Sequence, residues 1–246
     1  MTKIFWIIVI VFIMGLWGCR KAERNNCFMP AGETVTLYDQ LDDFSFIKAE
    51  KKLSIILKQD STNSIRITGG SNLICGVDYY IEDNTLHLSN TNGCVWSRNY
   101  KDSEIQIELH YYNIEGIYLE GAINLYTDTI FSNKFILDIK GGMTHIDMKA
   151  KTNICRLNCH ESGGDVIVSG QSDECYVYMT GTVHFDGIGL QNPYTYLTAK
   201  TTGLTEVYCT GTLHAENKGS GDIIYYGDPE ETNLFKYYTG GIDKAQ

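Results

Sequence analysis

His184, Asp186 and Glu206 are the residues of this sequence best placed for chemistry. On a strand, side chains two positions apart share a face, so His184 and Asp186 point the same way. Glu206 stands three residues after Gly203, as His184 stands three after Gly181. If the chain repeats, all three meet on neighbouring units. Acids beside an imidazole can act as general acid and base on a glycosidic bond, or hold a metal. A solvated strand face would carry the same residue types. His145 and Asp147 occupy the matching places two units earlier, with Ile167 between.

Tyr176 and Tyr196 fall at equivalent places 20 residues apart, with Tyr178 alongside. Exposed stacked rings can pack against a carbohydrate or a partner protein. They can equally form a ladder that only stabilises a sheet.

The chain has eight cysteines and no CxxC or Cys/His zinc spacing. Cys155 and Cys159 share a strand face while His160 points away, which is poor metal geometry. Cys155 and Cys175 belong to one inward column, either as free buried thiols or as a bridge. Cys75 and Cys94 flank a hairpin and form the more plausible disulfide. There is no GxSxG elbow, P-loop or HExxH, and Gly187-Ile188-Gly189 lacks the third glycine of a dinucleotide site. No cofactor or metal is implied. The net charge of −10 comes with no basic patch, which argues against nucleic acid as a partner.

These side chains need elements to place them. Gly121, Gly142, Gly164, Gly181, Gly203 and Gly221 each precede alternating apolar residues, at gaps of 21, 22, 17, 22 and 18. A second strand precedes each glycine, with apolar residues at every other position: Phe135, Leu137 and Ile139, then Cys155, Leu157 and Cys159, then Cys175, Val177 and Met179, then Thr195, Leu197 and Ala199, then Leu213 and Ala215. One face is thus apolar, and no amphipathic helix fits in the interval. A unit this short cannot bury its face alone, but stacked units can, at about 4.8 Å per coil. The expectation is all-β: a parallel β-helix (β-solenoid) of roughly 20-residue coils, with the glycines at corners. An antiparallel sandwich explains the strand spacing but not the recurring glycine.

Upstream, KLSIILKQ, NSIRITGG and YYIEDNTLHL read as further strands, the last a hairpin turning at Asp83-Asn84. They supply the first coils and the cap that an open solenoid end requires. Residues 33–113 are therefore assigned to N-terminal strands and first coils, and 114–246 to regular coils, in one continuous domain 33–246.

The first residues set the compartment. Lys3 precedes IFWIIVIVFIMGLWG, an apolar run shorter than the roughly 20 residues of a spanning helix and shaped like a secretory signal. Leu16-Trp17-Gly18-Cys19 resembles a bacterial lipobox, with Trp17 where a small or aliphatic residue is usual. Residues 1–18 are read as a lipoprotein signal peptide, Cys19 as the lipidated residue, and 19–32 as a flexible tether. The expected location is the cell envelope, anchored by lipid, at the outer membrane. The Arg-Lys-Ala-Glu that follows lacks an acidic pair, so surface and periplasmic exposure both stay open.

The strands FSFIKAEKKLSIILKQDSTNSIRITGG and EDNTLHLSN, the glycine turns, and above all GSGDIIYYGDP followed by TGGID resemble the putative auto-transporter adhesin, head GIN domain family of Bacteroidetes-type exported proteins. The likeness spans most of residues 44–246. It implies a right-handed parallel β-helix and brings no catalytic residues with it. The resulting expectation is a non-catalytic binding or adhesion module on an envelope lipoprotein, meeting a carbohydrate or an envelope protein. The alternatives are a lyase- or hydrolase-like carbohydrate-active β-helix and a purely structural envelope protein.

Overall fold

The computed structural model describes residues 30–93 and 105–245. The expected signal peptide, Cys19, most of the tether, and Cys94 lie outside the described residues. Strand makes up 71% of the molecule and helix 2%.

The N-terminal part comprises β1 (Thr34–Gln40), β2 (Phe46–Glu50), β3 (Leu53–Gln59), β4 (Ser64–Gly70), the one-turn α1 (Ser71–Ile74), β5 (Val77–Glu82), β6 (Thr85–Asn90), β7 (Gln106–Tyr111), β8 (Gly116–Glu120) and the long β9 (Ile123–Lys140). Its spatial order is not its sequence order. β2 runs parallel to both β6 and β8, with Ile47 opposite Leu86 and Ile117. β3 runs parallel to both β7 and β9, with Ile55 opposite Ile107 and Leu125. The coil β2–β3 is thus inserted between the coil β6–β7 and the coil β8–β9. β4 then pairs antiparallel with β7, and β1 antiparallel with β4. The hairpin β5–β6 turns at Asp83 and Asn84, both with positive φ (48° and 60°), as a two-residue type I′ turn requires.

The regular coils follow in β10 (Met143–Gly187), β11 (Leu190–Gln191), β12 (Tyr194–Thr201), β13 (Thr205–Tyr208), β14 (Thr212–Asn217), β15 (Ile223–Tyr226), β16 (Glu231–Lys236) and β17 (Ile242–Lys244). All pair in parallel, making a β-solenoid of about six turns. A first face carries β3, the start of β9, β13, β15 and β17. A second carries β6, β2, β8, the end of β9, β12, β14 and β16. A short third face links them: Phe131 lies opposite Lys151, and Gln171 opposite Gln191. The pairing offset is 20 between Cys155 and Phe135 and between Glu174 and Tyr194. It falls to 18 between Tyr194 and Thr212, where the third-face strand drops out of the coil.

Alternation sets what is inside. Every inward position expected from Phe135 to Ala215 is at most 3% exposed, and together they form one continuous core. Burying such side chains contributes about 1.5–3 kcal/mol each for the larger ones.

The corner glycines do not form one straight column. Gly163 donates its N–H to the Gly142 carbonyl, while Gly164 packs over Thr144. Two corners show why a side chain is excluded. Gly142 has φ +78°, and a Cβ there would overlap the Gly121 carbonyl. Gly221 has no positive φ; its constraint is close approach, since a Cβ would overlap the Gly203 carbonyl oxygen.

Candidate functional site: two outward faces of the solenoid

On the first face, strand pairing rather than glycine position decides which residues meet. Asp186, not His184, lies opposite Glu206. This corrects the alignment by glycines, which is off by two residues because the Gly181–Gly203 gap is two longer than the strand offset. The face is unchanged, since two residues preserve the alternation. His184 still reaches Glu206 diagonally, Nε2 to Oε2 3.3 Å. Its Nδ1 lies 3.4 Å from Asp165 Oδ1, and His145 Nδ1 lies 3.9 Å from Asp165 Oδ2. The Tyr226 hydroxyl donates to Glu206 Oε1 at 2.8 Å, and this carboxylate holds the phenol above its usual range. Asp186 instead accepts from the Ile188 N–H at 3.1 Å.

Asp165 is the member that glycine counting missed: it directly follows Gly164, whereas His184 and Glu206 each stand three residues after their glycine. The imidazole of His184 fills the space between Asp165 and Glu206. Glycosidase carboxylates need that space for substrate or water. The imidazole thus links carboxylates of neighbouring coils. Among the described residues, no group of three or more His, Cys, Asp or Glu side chains could hold a metal.

On the second face, Tyr176 lies opposite Tyr196, which lies opposite His214. The Tyr176 and Tyr196 rings stack at 5.1 Å and 11°. The column extends both ways, with the Arg156 guanidinium 4.9 Å over Tyr176, and His214 6.3 Å from Tyr196 and 5.2 Å from Phe235. Parallel strands in register place identical positions one coil apart, which is why the rings fall into line. The Tyr176 hydroxyl donates to Glu174 Oε2 at 2.7 Å, which raises the phenol pKa. Because the Tyr176 and Tyr196 rings cover each other's faces, that pair shows solvent its edges and hydroxyls, while the His214 contacts are tilted by 32° and 40°.

Tyr178 is not in that stack. It lies opposite Thr198 and leans on His160 at 5.4 Å. It borders an open groove of about 980 Å³ whose floor is the side-chain-free corner Gly121, Gly141, Gly142 and Gly181. Lys140, Lys200, Asp138 and Glu161 line its walls.

The cysteines divide by environment. Cys155, Cys159, Cys175 and Cys209 are free and buried. Burial pushes the Cys159 thiol up to about 12. The Cys175 thiol is raised well above its usual value by its hydrogen bond to Cys155 and by burial. Buried, un-ionised thiols pack as small hydrophobes. Cys75 is disulfide-bonded; Cys94, its expected partner, lies outside the described residues.

The family described as "Putative auto-transporter adhesin, head GIN domain" matches residues 43–229. A crystal structure of a putative adhesin from Bacteroides fragilis NCTC 9343 is 18% identical, covering 88% of this chain and 99% of its own, with a TM-score of 0.79. A putative lipid binding protein from Parabacteroides distasonis ATCC 8503 is 17% identical, covering 87% and 98%, with a TM-score of 0.61. A putative adhesin from Parabacteroides merdae ATCC 43184 is 16% identical, covering 88% and 98%, with a TM-score of 0.58. At these identities the likeness is one of fold. No curated protein matches the sequence.

Proposed function

The chain belongs to the putative auto-transporter adhesin, head GIN domain family, and from that premise we propose that it is an envelope lipoprotein whose solenoid is a non-catalytic adhesion module. In this reading, the lipid on Cys19 holds it to the outer membrane and the second face meets the partner. The observation that carries the proposal is the Arg156–Tyr176–Tyr196–His214–Phe235 column. It is a rigid strip held by in-register strands, so little side-chain freedom is lost when a partner docks. Tyr and Arg are the residue types that dominate protein contact energies. The column offers ring edges and hydroxyls, which suits a macromolecular surface better than a sugar ring lying flat.

Adherence of cells displaying the wild-type protein, compared with the Tyr176→Ser/Tyr196→Ser variant, tests this reading. Binding should fall at least tenfold while the melting temperature drops only modestly. Unchanged adherence removes this face from the function. Protease shaving of intact cells tests exposure, and full protection would end the cell-adhesion reading. His184→Ala and Glu206→Ala should leave adherence unaltered. Loss of a polysaccharide-cleaving activity in those variants would favour the enzyme instead.

A further inference from the structure

The groove on the third face has a different chemistry and lies away from the aromatic column. We propose that it is a binding site for a neutral saccharide. The groove exists because the solenoid changes cross-section. Coils up to β11 carry a third-face strand, whereas the next coil passes from Tyr208 to Thr212 with only a tight corner. That corner stacks on the coil beneath through Thr210 N–H to Asn192 O and Gly211 N–H to Pro193 O. The step leaves a groove of about 560 Å³, within the range of small-ligand sites.

Its floor is rigid and internally satisfied. Thr152 Oγ1 donates to Ser172 Oγ at 3.2 Å, Ser172 Oγ to the Glu174 carbonyl at 2.7 Å, and Asn192 Nδ2 to the carbonyls of Leu190 and Tyr208. Above the floor, Gln171 and Gln191 stand opposite each other on adjacent coils, and their side-chain amides have no hydrogen-bond partner among the described residues. An amide offers a donor and an acceptor side by side, which matches neighbouring hydroxyls of a sugar ring. Two amides about 4.8 Å apart repeat that match along the axis.

Phe131 supplies the apolar plane. It is 51% exposed and, unlike the stacked tyrosines, its ring makes no aromatic or cation–π pair among the described residues. Phe131 stands two coils from Gln171, about 10 Å along the axis with Lys151 between, so ring and amides meet successive sugars of one oligosaccharide, C–H faces on the ring and rim hydroxyls on the amides. Among the described residues, the only charged side chains lining the groove are Lys151 and Asp173, whose charges cancel. The ligand is therefore neutral rather than a uronate or a phosphate.

Calorimetric titration with cellohexaose, maltoheptaose and mannohexaose, and with an oligogalacturonate as the acidic counterpart, tests the site on the full chain. At least one neutral oligosaccharide should bind. Phe131→Ala and Gln171→Ala/Gln191→Ala should each weaken it at least tenfold with the melting temperature held, because all three side chains are exposed. Tyr176→Ser/Tyr196→Ser should leave this binding intact, which separates the site from the adhesion face. Absence of binding by all three neutral oligosaccharides, preference for the oligogalacturonate, or wild-type affinity in the Phe131 and Gln variants would overturn the proposal.

Discussion

The imidazole of His110 is held between two carboxylates, with Nε2 2.9 Å from Glu108 Oε1 and Nδ1 2.8 Å from Asp60 Oδ2. Both nitrogens can donate only when the ring is protonated. Glu108 also meets Lys58 Nζ at 3.0 Å and Arg66 Nη1 at 3.5 Å, so strands β3, β4 and β7 are tied at one point. The hydrogen bond to Glu108 raises the His110 pKa, and the bond to His110 lowers those of Glu108 and Asp60.

A pH dependence follows from these directions. The raised His110 value means that its stabilisation is complete below the unfolded value of about 6.5 and disappears as pH climbs through the folded value. The lowered carboxylate values act oppositely: their stabilisation is present above about pH 4 and is lost as pH falls through the folded values. Melting temperature plotted against pH should fall on the alkaline side in the wild type. In His110→Phe that alkaline decline should vanish, and an unchanged slope would mean that His110 is not the titrating group.

Gly221→Ala should destabilise by about 2–3 kcal/mol, because the methyl group meets a backbone carbonyl that cannot swing aside. Gly141→Ala is the comparison. Its φ is +62° but its would-be Cβ meets nothing within 4 Å, so only the left-handed backbone penalty applies, about 1 kcal/mol. Urea midpoints of the two variants should rank in that order.

Tyr111 is 1% exposed, and its hydroxyl has no hydrogen-bond partner among the described residues. An unsatisfied buried hydroxyl costs about 1–3 kcal/mol. Tyr111→Phe should therefore raise stability by about 1 kcal/mol in chemical denaturation, against the usual sign of a core substitution.

The four buried thiols should resist alkylation at pH 8 in the native protein and react together on unfolding. Peptide mapping should find Cys155, Cys159, Cys175 and Cys209 labelled in urea without reductant, and Cys75 labelled only after reduction.

The solenoid was legible because period-2 alternation from Phe135 to Ala215 leaves one place for the apolar side chains. The Tyr176–Tyr196 stack was legible for the same reason, since both lie on a regular 20-residue offset. What glycine counting could not supply was register. Corners absorb insertions, so Glu206 slid from His184 to Asp186, and Asp165 went unnoticed. Phe131 and the third-face groove were invisible because they depend on where a strand is missing, which no residue spells out. The insertion of β2–β3 between later strands also leaves no sequence mark: Ile47 and Ile55 alternate as any buried strand would.

That insertion has a consequence for the order in which the chain can assemble. A repeat protein ordinarily grows from any finished unit by adding the next. Here the coil made earliest has neighbours on both sides that arrive later, β6 and β7 on one side and β8 and the start of β9 on the other. During synthesis, residues 46–59 emerge before either neighbour and must wait with both edges bare. Closure comes only after about 70 further residues have been made. The start of the solenoid is therefore sealed from its middle, and its folding nucleus carries a long loop-closure cost that the later coils never meet.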